Sequence, residues 1–66
     1  MEDWQKRLLA EYNELKERYE RLDKFINGQE IYKIEVKGRK LLYEQYYAMK
    51  NYLDILKKRC TLYELL

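Results

Sequence analysis

Residues 41–63 read LLYEQYYAMKNYLDILKKRCTLY, and their spacing decides the fold. Leu42, Tyr46, Met49, Leu53, Leu56, Cys60 and Tyr63 follow one another at alternating steps of four and three residues, with no polar break. A helix with that heptad stripe presses one seam against another helix. A second line runs beside it: Leu41, Gln45, Ala48, Tyr52, Ile55, Arg59 and Leu62. Together the two lines make an apolar face wider than one partner helix needs, interrupted at Gln45 and Arg59. The helix over residues 39–63 is therefore expected to have two partners, one within the chain and one in another copy. Leu62 to Leu66 either continue it or turn back.

The intramolecular partner lies upstream. Trp4, Leu8, Tyr12, Leu15, Tyr19, Leu22 and Ile26 form a stripe of their own, widened by Leu9 and Phe25, which predicts a helix over residues 4–27. Asp3 is the expected N-cap and Asn27-Gly28 the stop. On the opposite face Glu14–Arg18, Glu17–Arg21 and Glu20–Lys24 have the spacing of helical ion pairs, with the acid first. Between the helices, residues 28–38 are bracketed by the only two glycines. Tyr32, Ile34 and Val36 alternate there with Lys33, Glu35 and Lys37, a short strand pattern. An unpaired strand leaves backbone groups unsatisfied, so a strand paired with a symmetry mate, an ordered loop and a turn of helix all remain open.

Two helices of about 24 residues, each about 36 Å long, joined by so short a connection form an antiparallel αα-hairpin. Residues facing each other then have numbers summing to about 66, which brings Arg7 near Arg59, Glu11 near Ile55 and Arg21 near Gln45. The fold class expected is all-α: a two-helix hairpin assembling into a homo-oligomeric helical bundle. Pairing hairpins removes the second line of the 39–63 helix from water.

The totals agree with this picture. Sixty-six residues make one domain with a small core, of the size that depends on reinforcement. A single cysteine, Cys60, forms no internal disulfide, and without any His there is no zinc site. Cys60 reads as a small core residue of a reducing compartment. The net charge of +2, from 14 basic and 12 acidic residues, argues against bulk binding to nucleic acid. No apolar run approaches the roughly 20 residues of a membrane span, and the start Met-Glu-Asp-Trp is acidic, unlike a secretory signal. The expectation is a complete, cytoplasmic chain that does not engage a membrane. Eight tyrosines are the compositional outlier. They line either a helical core or a surface that stacks planar ligands.

No catalytic constellation is present. His and Ser are both absent, there is no glycine-rich phosphate loop, and Glu11 and Glu14 read as solvated surface. The chain is expected not to be an enzyme and to need no cofactor or metal. The open end of the hairpin holds more promise. Arg7 and Arg59 meet there beside Trp4, Tyr63 and Glu11, offering fork donors for a phosphate and ring faces for a base. Alternatively Arg59 pairs with Glu11 and only closes the seam. Gln45 is either a buried register device or a reader of a base edge.

The pattern Arg7-Leu8-x-x-Glu11-x-x-Glu14-Leu15-x-x-Arg18, then Leu22-x-x-Phe25-Ile26, then Leu41-Leu42-x-x-Gln45-x-x-Ala48-Met49-x-x-Tyr52-x-x-Ile55-Leu56-x-x-Arg59 resembles a family of small bacteriophage helical-hairpin proteins. They include short proteins of crAss-like phages and look like the hairpin domain of anti-CBASS and anti-Thoeris sponges. The resemblance spans residues 7–59 and is most specific from Gln45 to Arg59. It implies an oligomeric phage counter-defence protein that binds a cyclic nucleotide immune signal without cleaving it. The residues that match its pattern are Arg7, Glu11, Gln45, Met49, Tyr52 and Arg59; Trp4 and Tyr63, outside the matched span, are stacking candidates from their place at the open end. A hairpin that binds a host protein, with no small-molecule ligand, is the alternative.

Overall fold

A computed structural model describes residues 1–66. It contains helix α1 (Asp3–Asn27), a 3-10 turn (Glu30–Lys33) and helix α2 (Val36–Leu62). The helices lie antiparallel in a rod of 45 × 15 × 15 Å. Trp4 meets Tyr63 and Tyr19 meets Tyr46, so facing residues have the register read from the sequence.

Local chemistry sets the ends. The N-cap of α1 is Glu2, not Asp3. Its backbone is extended, and its N–H donates to Gln5 Oε1 at 2.8 Å. Asp3 becomes the first helical residue, where its charge still complements the dipole. At the other end the Gly28 N–H bonds Phe25 O, and Asn27 Nδ2 donates to Asp23 O at 2.9 Å.

The connection is a turn of helix rather than a strand. Tyr32 N–H bonds Gln29 O and Ile34 N–H bonds Ile31 O, which satisfies locally what a lone strand would leave open. The turn also drives Ile31 inward to 1% exposure, capping the closed end of the hairpin. α2 then starts at Val36, three residues earlier than expected, after Glu35 in extended conformation. Gly38 thus lies inside the first turn of α2. A Cβ there would sit 2.7 Å from Ile34 Cγ2 and 2.7 Å from Glu35 Oε1, so glycine makes room for those side chains. Arg39 and Lys40 lie a turn inside α2, so the positive end of the helix dipole repels these two cations only weakly.

The seam is the one the heptads describe. Leu8, Tyr12 and Leu15 of α1 are buried against Leu56 and Cys60 of α2, with Leu9, Met49 and Leu53 packed around them. The C-terminus turns back in a Schellman motif. Leu65 N–H bonds Cys60 O at 2.9 Å, Glu64 N–H bonds Thr61 O at 3.1 Å, and Glu64 takes φ 57°. That fold-back lays Leu65 on the core. The expected pairs Glu14–Arg18, Glu17–Arg21 and Glu20–Lys24 are not closed. The sole ion pair within 4 Å is Lys33–Glu30, at 3.1 Å. Water solvates exposed charges too well for long side chains to lose their freedom to such pairs.

Towards the closed end the core turns polar. The Tyr46 ring stacks on Tyr19 with centroids 4.9 Å apart. Its hydroxyl donates to Asp23 Oδ1 at 2.6 Å and accepts from the Tyr19 hydroxyl at 2.9 Å. These bonds, chiefly the one to Asp23, keep Tyr46 protonated well above the ordinary tyrosine range. An unfolded chain releases that proton near pH 10 while the folded one retains it. The network's contribution to stability is therefore complete below about pH 10 and declines as pH rises beyond it. In thermal melts followed by circular dichroism, Tyr46→Phe should melt lower than the parent at neutral pH, and the gap should narrow above about pH 10. A gap independent of pH would argue against the network.

Candidate functional site

The second line of α2 is the part of the molecule left without a partner. Leu41, Ile55 and Leu62 are 64%, 56% and 71% exposed, and Gln45, Ala48, Tyr52 and Arg59 are exposed among them. At about 100° per residue these positions form one flank beside the seam. The whole chain exposes 5419 Å², against the roughly 4,600 Å² typical of a folded monomer of its mass, 8.3 kDa. The excess, roughly 800 Å², reflects the elongated shape of a lone two-helix rod.

The residues expected to form a site distribute as follows. Arg7 and Arg59 are both exposed, and the register sets them at the same level near the open end. Neither makes an ion pair, and Arg59 does not reach Glu11 within 4 Å. The seam-closing role for Arg59 is therefore not realised. Glu11 is half-buried beside the core residue Tyr12. Gln45 is exposed, its only side-chain hydrogen bond a weak 3.9 Å one to Met49 Sδ, so within the hairpin it is not a buried register device. Tyr52 is 44% exposed. Trp4 and Tyr63 meet edge to face, centroids 4.8 Å apart, and Trp4 Nε1 donates to Glu2 at 2.8 Å. The open end thus brings Trp4 and Tyr63 together and leaves both guanidiniums free, while Gln45 sits further along α2.

Cys60 is fully buried, and burial pushes its thiol above the ordinary range. That suits packing and opposes nucleophilic chemistry.

The closed end holds a hollow that residue-by-residue reading missed. A recess of about 530 Å³ is lined by Ile26, the Asn27–Gln29 segment, Tyr32, Tyr43, Tyr46 and Tyr47. Tyr47 stands edge-on to Tyr46, centroids 5.5 Å apart. A shallower groove bounded by Val36, Arg39 and Lys40 adjoins it through Tyr43. The Arg39 guanidinium lies 5.7 Å from the Tyr32 ring centroid, and its Nε is buried without a partner. The signal was available in part: Tyr43, Tyr46 and Tyr47 have the spacing of one helix face. Tyr32 joins them only because the connection coils.

No helix is long and apolar enough to cross a membrane. Neither a curated protein nor a solved structure matches the chain. The model of one family, Sequestin, matches residues 2–62, nearly the whole chain, and the protein belongs to the Sequestin family. The family's name is consistent with a sequestering role, and a small helical hairpin of such a family suggests a non-catalytic protein.

Proposed function

We propose that this Sequestin-family hairpin assembles with copies of itself and sequesters a cyclic nucleotide immune signal, without cleaving it, as a phage counter-defence protein in the host cytoplasm. The family match over residues 2–62 carries the sequestering half of this reading. The resemblance of the Arg7–Arg59 pattern to cyclic-nucleotide sponges supplies the ligand.

The free flank of α2 supports the assembly. Its exposed leucines and isoleucine flank Gln45, Tyr52 and Arg59, so a second copy laid on it would enclose polar groups between subunits. In that cleft Arg7 and Arg59 neutralise two phosphates, each with planar, bidentate donors. Tyr52, Trp4 and Tyr63 offer ring surface to a base, while Gln45 and Glu11 face base edges. A ligand with two phosphates and two planar bases matches that inventory. The set contains no His, Ser or Cys, and its one carboxylate, Glu11, is given to a base edge in this reading, in keeping with a store of intact ligand.

The same exposed apolar flank also suits a host protein, and that is the second reading. Titration calorimetry separates them, using a panel of cyclic dinucleotides, cyclic trinucleotides and cyclic ADP-ribose isomers. At least one member should bind with micromolar or better affinity. Arg7→Ala combined with Arg59→Ala should weaken it at least about tenfold, since each charge-assisted bond is worth about 1.5–3 kcal/mol. Silence across the panel sinks the nucleotide reading and favours the protein-binding one.

A further inference from the structure

The recess at the closed end is a half-open hollow that lies apart from the flank of α2. We propose that it is a second binding site, for a planar heteroaromatic ring carrying a phosphate, that is, a nucleotide. It stands apart from the proposed cleft at Arg7 and Arg59, and uses none of that cleft's residues.

Size comes first. About 530 Å³ falls within the roughly 300–1,000 Å³ of small-molecule sites. The lining comes next. Four of the eight tyrosines gather here, and Tyr32 and Tyr47 are 73% and 61% exposed, so they spend little of their ring area on the core. Exposed tyrosine rings around a hollow are stacking surfaces with a polar tip. One wall is already fixed, because Tyr46 is held by Asp23 and Tyr19 and stacked on the Tyr19 ring. A wall fixed in advance spares the ligand the entropy of ordering it.

Charge gives the ring its phosphate. No carboxylate lines the recess or the adjoining groove, whereas Arg39 and Lys40 line the groove. Arg39 is the more telling of the two. Its Nε is buried and no protein acceptor reaches it, so an anionic acceptor would complete it. The guanidinium already lies over Tyr32, 5.7 Å from the centroid, at the junction of ring and charge. A phosphate in the groove, with its base among Tyr32, Tyr43 and Tyr47, would use both.

Position keeps the site open. Tyr43 is two residues from Leu41 and two from Gln45, about 200° around the helix from each. A second copy covering the apolar flank of α2 would leave the recess on the other side of the seam.

The test uses AMP, ADP and a cyclic dinucleotide as probes, with calorimetry on the full chain and amide spectra by NMR. AMP or ADP should bind and shift the Gly28 and Gln29 amides. Tyr43→Ala with Tyr47→Ala should weaken that binding at least tenfold, as should Arg39→Ala. Arg59→Ala should leave it unchanged. The three affected side chains lie outside the buried core, and thermal melts of each variant will show that the hairpin persists. Binding that survives the tyrosine pair but is lost in Arg59→Ala overturns the second site and leaves the cleft standing. Binding of AMP that ignores Arg59, with no response to any cyclic ligand, keeps the second site and removes the cleft. No binding by any probe overturns the second site outright.

Discussion

Leu56→Ala should unfold the chain. Leu56 is fully buried in the core between α1 and α2, among Leu8, Tyr12, Leu15 and Cys60. Removing a buried leucine side chain typically costs about 2–5 kcal/mol, the upper end where the site does not collapse. A chain of this size has a total stability of roughly 3–10 kcal/mol, and only 6 of its 66 residues are buried, which places it toward the low end. One cavity therefore removes much or all of the margin. Circular dichroism should show the helical signal falling at room temperature, or a melting temperature lowered by more than ten degrees or so. A variant melting within a few degrees of the parent would mean that this seam does not hold the hairpin.

The second large effect concerns assembly. Ile55→Glu changes a side chain 56% exposed in the lone hairpin, so the hairpin itself should tolerate it. If a second copy covers the flank, the change buries a carboxylate in an apolar contact. The cost is at least about 3 kcal/mol, a weakening of association by about a hundredfold. Light scattering at micromolar concentration should report a multiple of 8.3 kDa for the parent and a single chain for Ile55→Glu. The variant should also lose ligand binding, because its cleft no longer closes. A parent chain that is monomeric under these conditions contradicts the assembly, and so does a variant whose mass is unchanged.

Both predictions descend from a spacing visible in the sequence. The steps of four and three from Leu42 to Cys60 locate the seam, because their mean lies close to the roughly 3.6-residue turn of a helix and so keeps them on one face. The breadth of the second line, from Leu41 to Leu62, likewise foretells the flank that a single hairpin leaves wet. Register followed from the brevity of the connection and needed nothing else.

What the spacing could not reveal depends on three-dimensional context. Tyr32, Ile34 and Val36 alternate like a strand, but alternation describes side chains and not the availability of a pairing edge. With none beside it, the segment coils, α2 starts early at Val36, and Ile31 becomes the plug of the closed end. Ionic spacing on α1 likewise described an opportunity that solvation leaves untaken. Of the candidate site, the exposure of Arg7, Arg59 and Gln45 could be anticipated only as one of two outcomes. The tyrosine recess needed the folded connection to exist at all.

The most direct measurement of sequestration is capture and release. Excess protein is mixed with the cyclic nucleotide it binds best, and the free ligand is followed across a membrane that retains the protein. The bound fraction is then released by heat and identified by mass spectrometry. Native protein should withhold the ligand, and unfolding should return the same intact ring. A ligand that passes freely from the start, or that returns as an opened product, would contradict it.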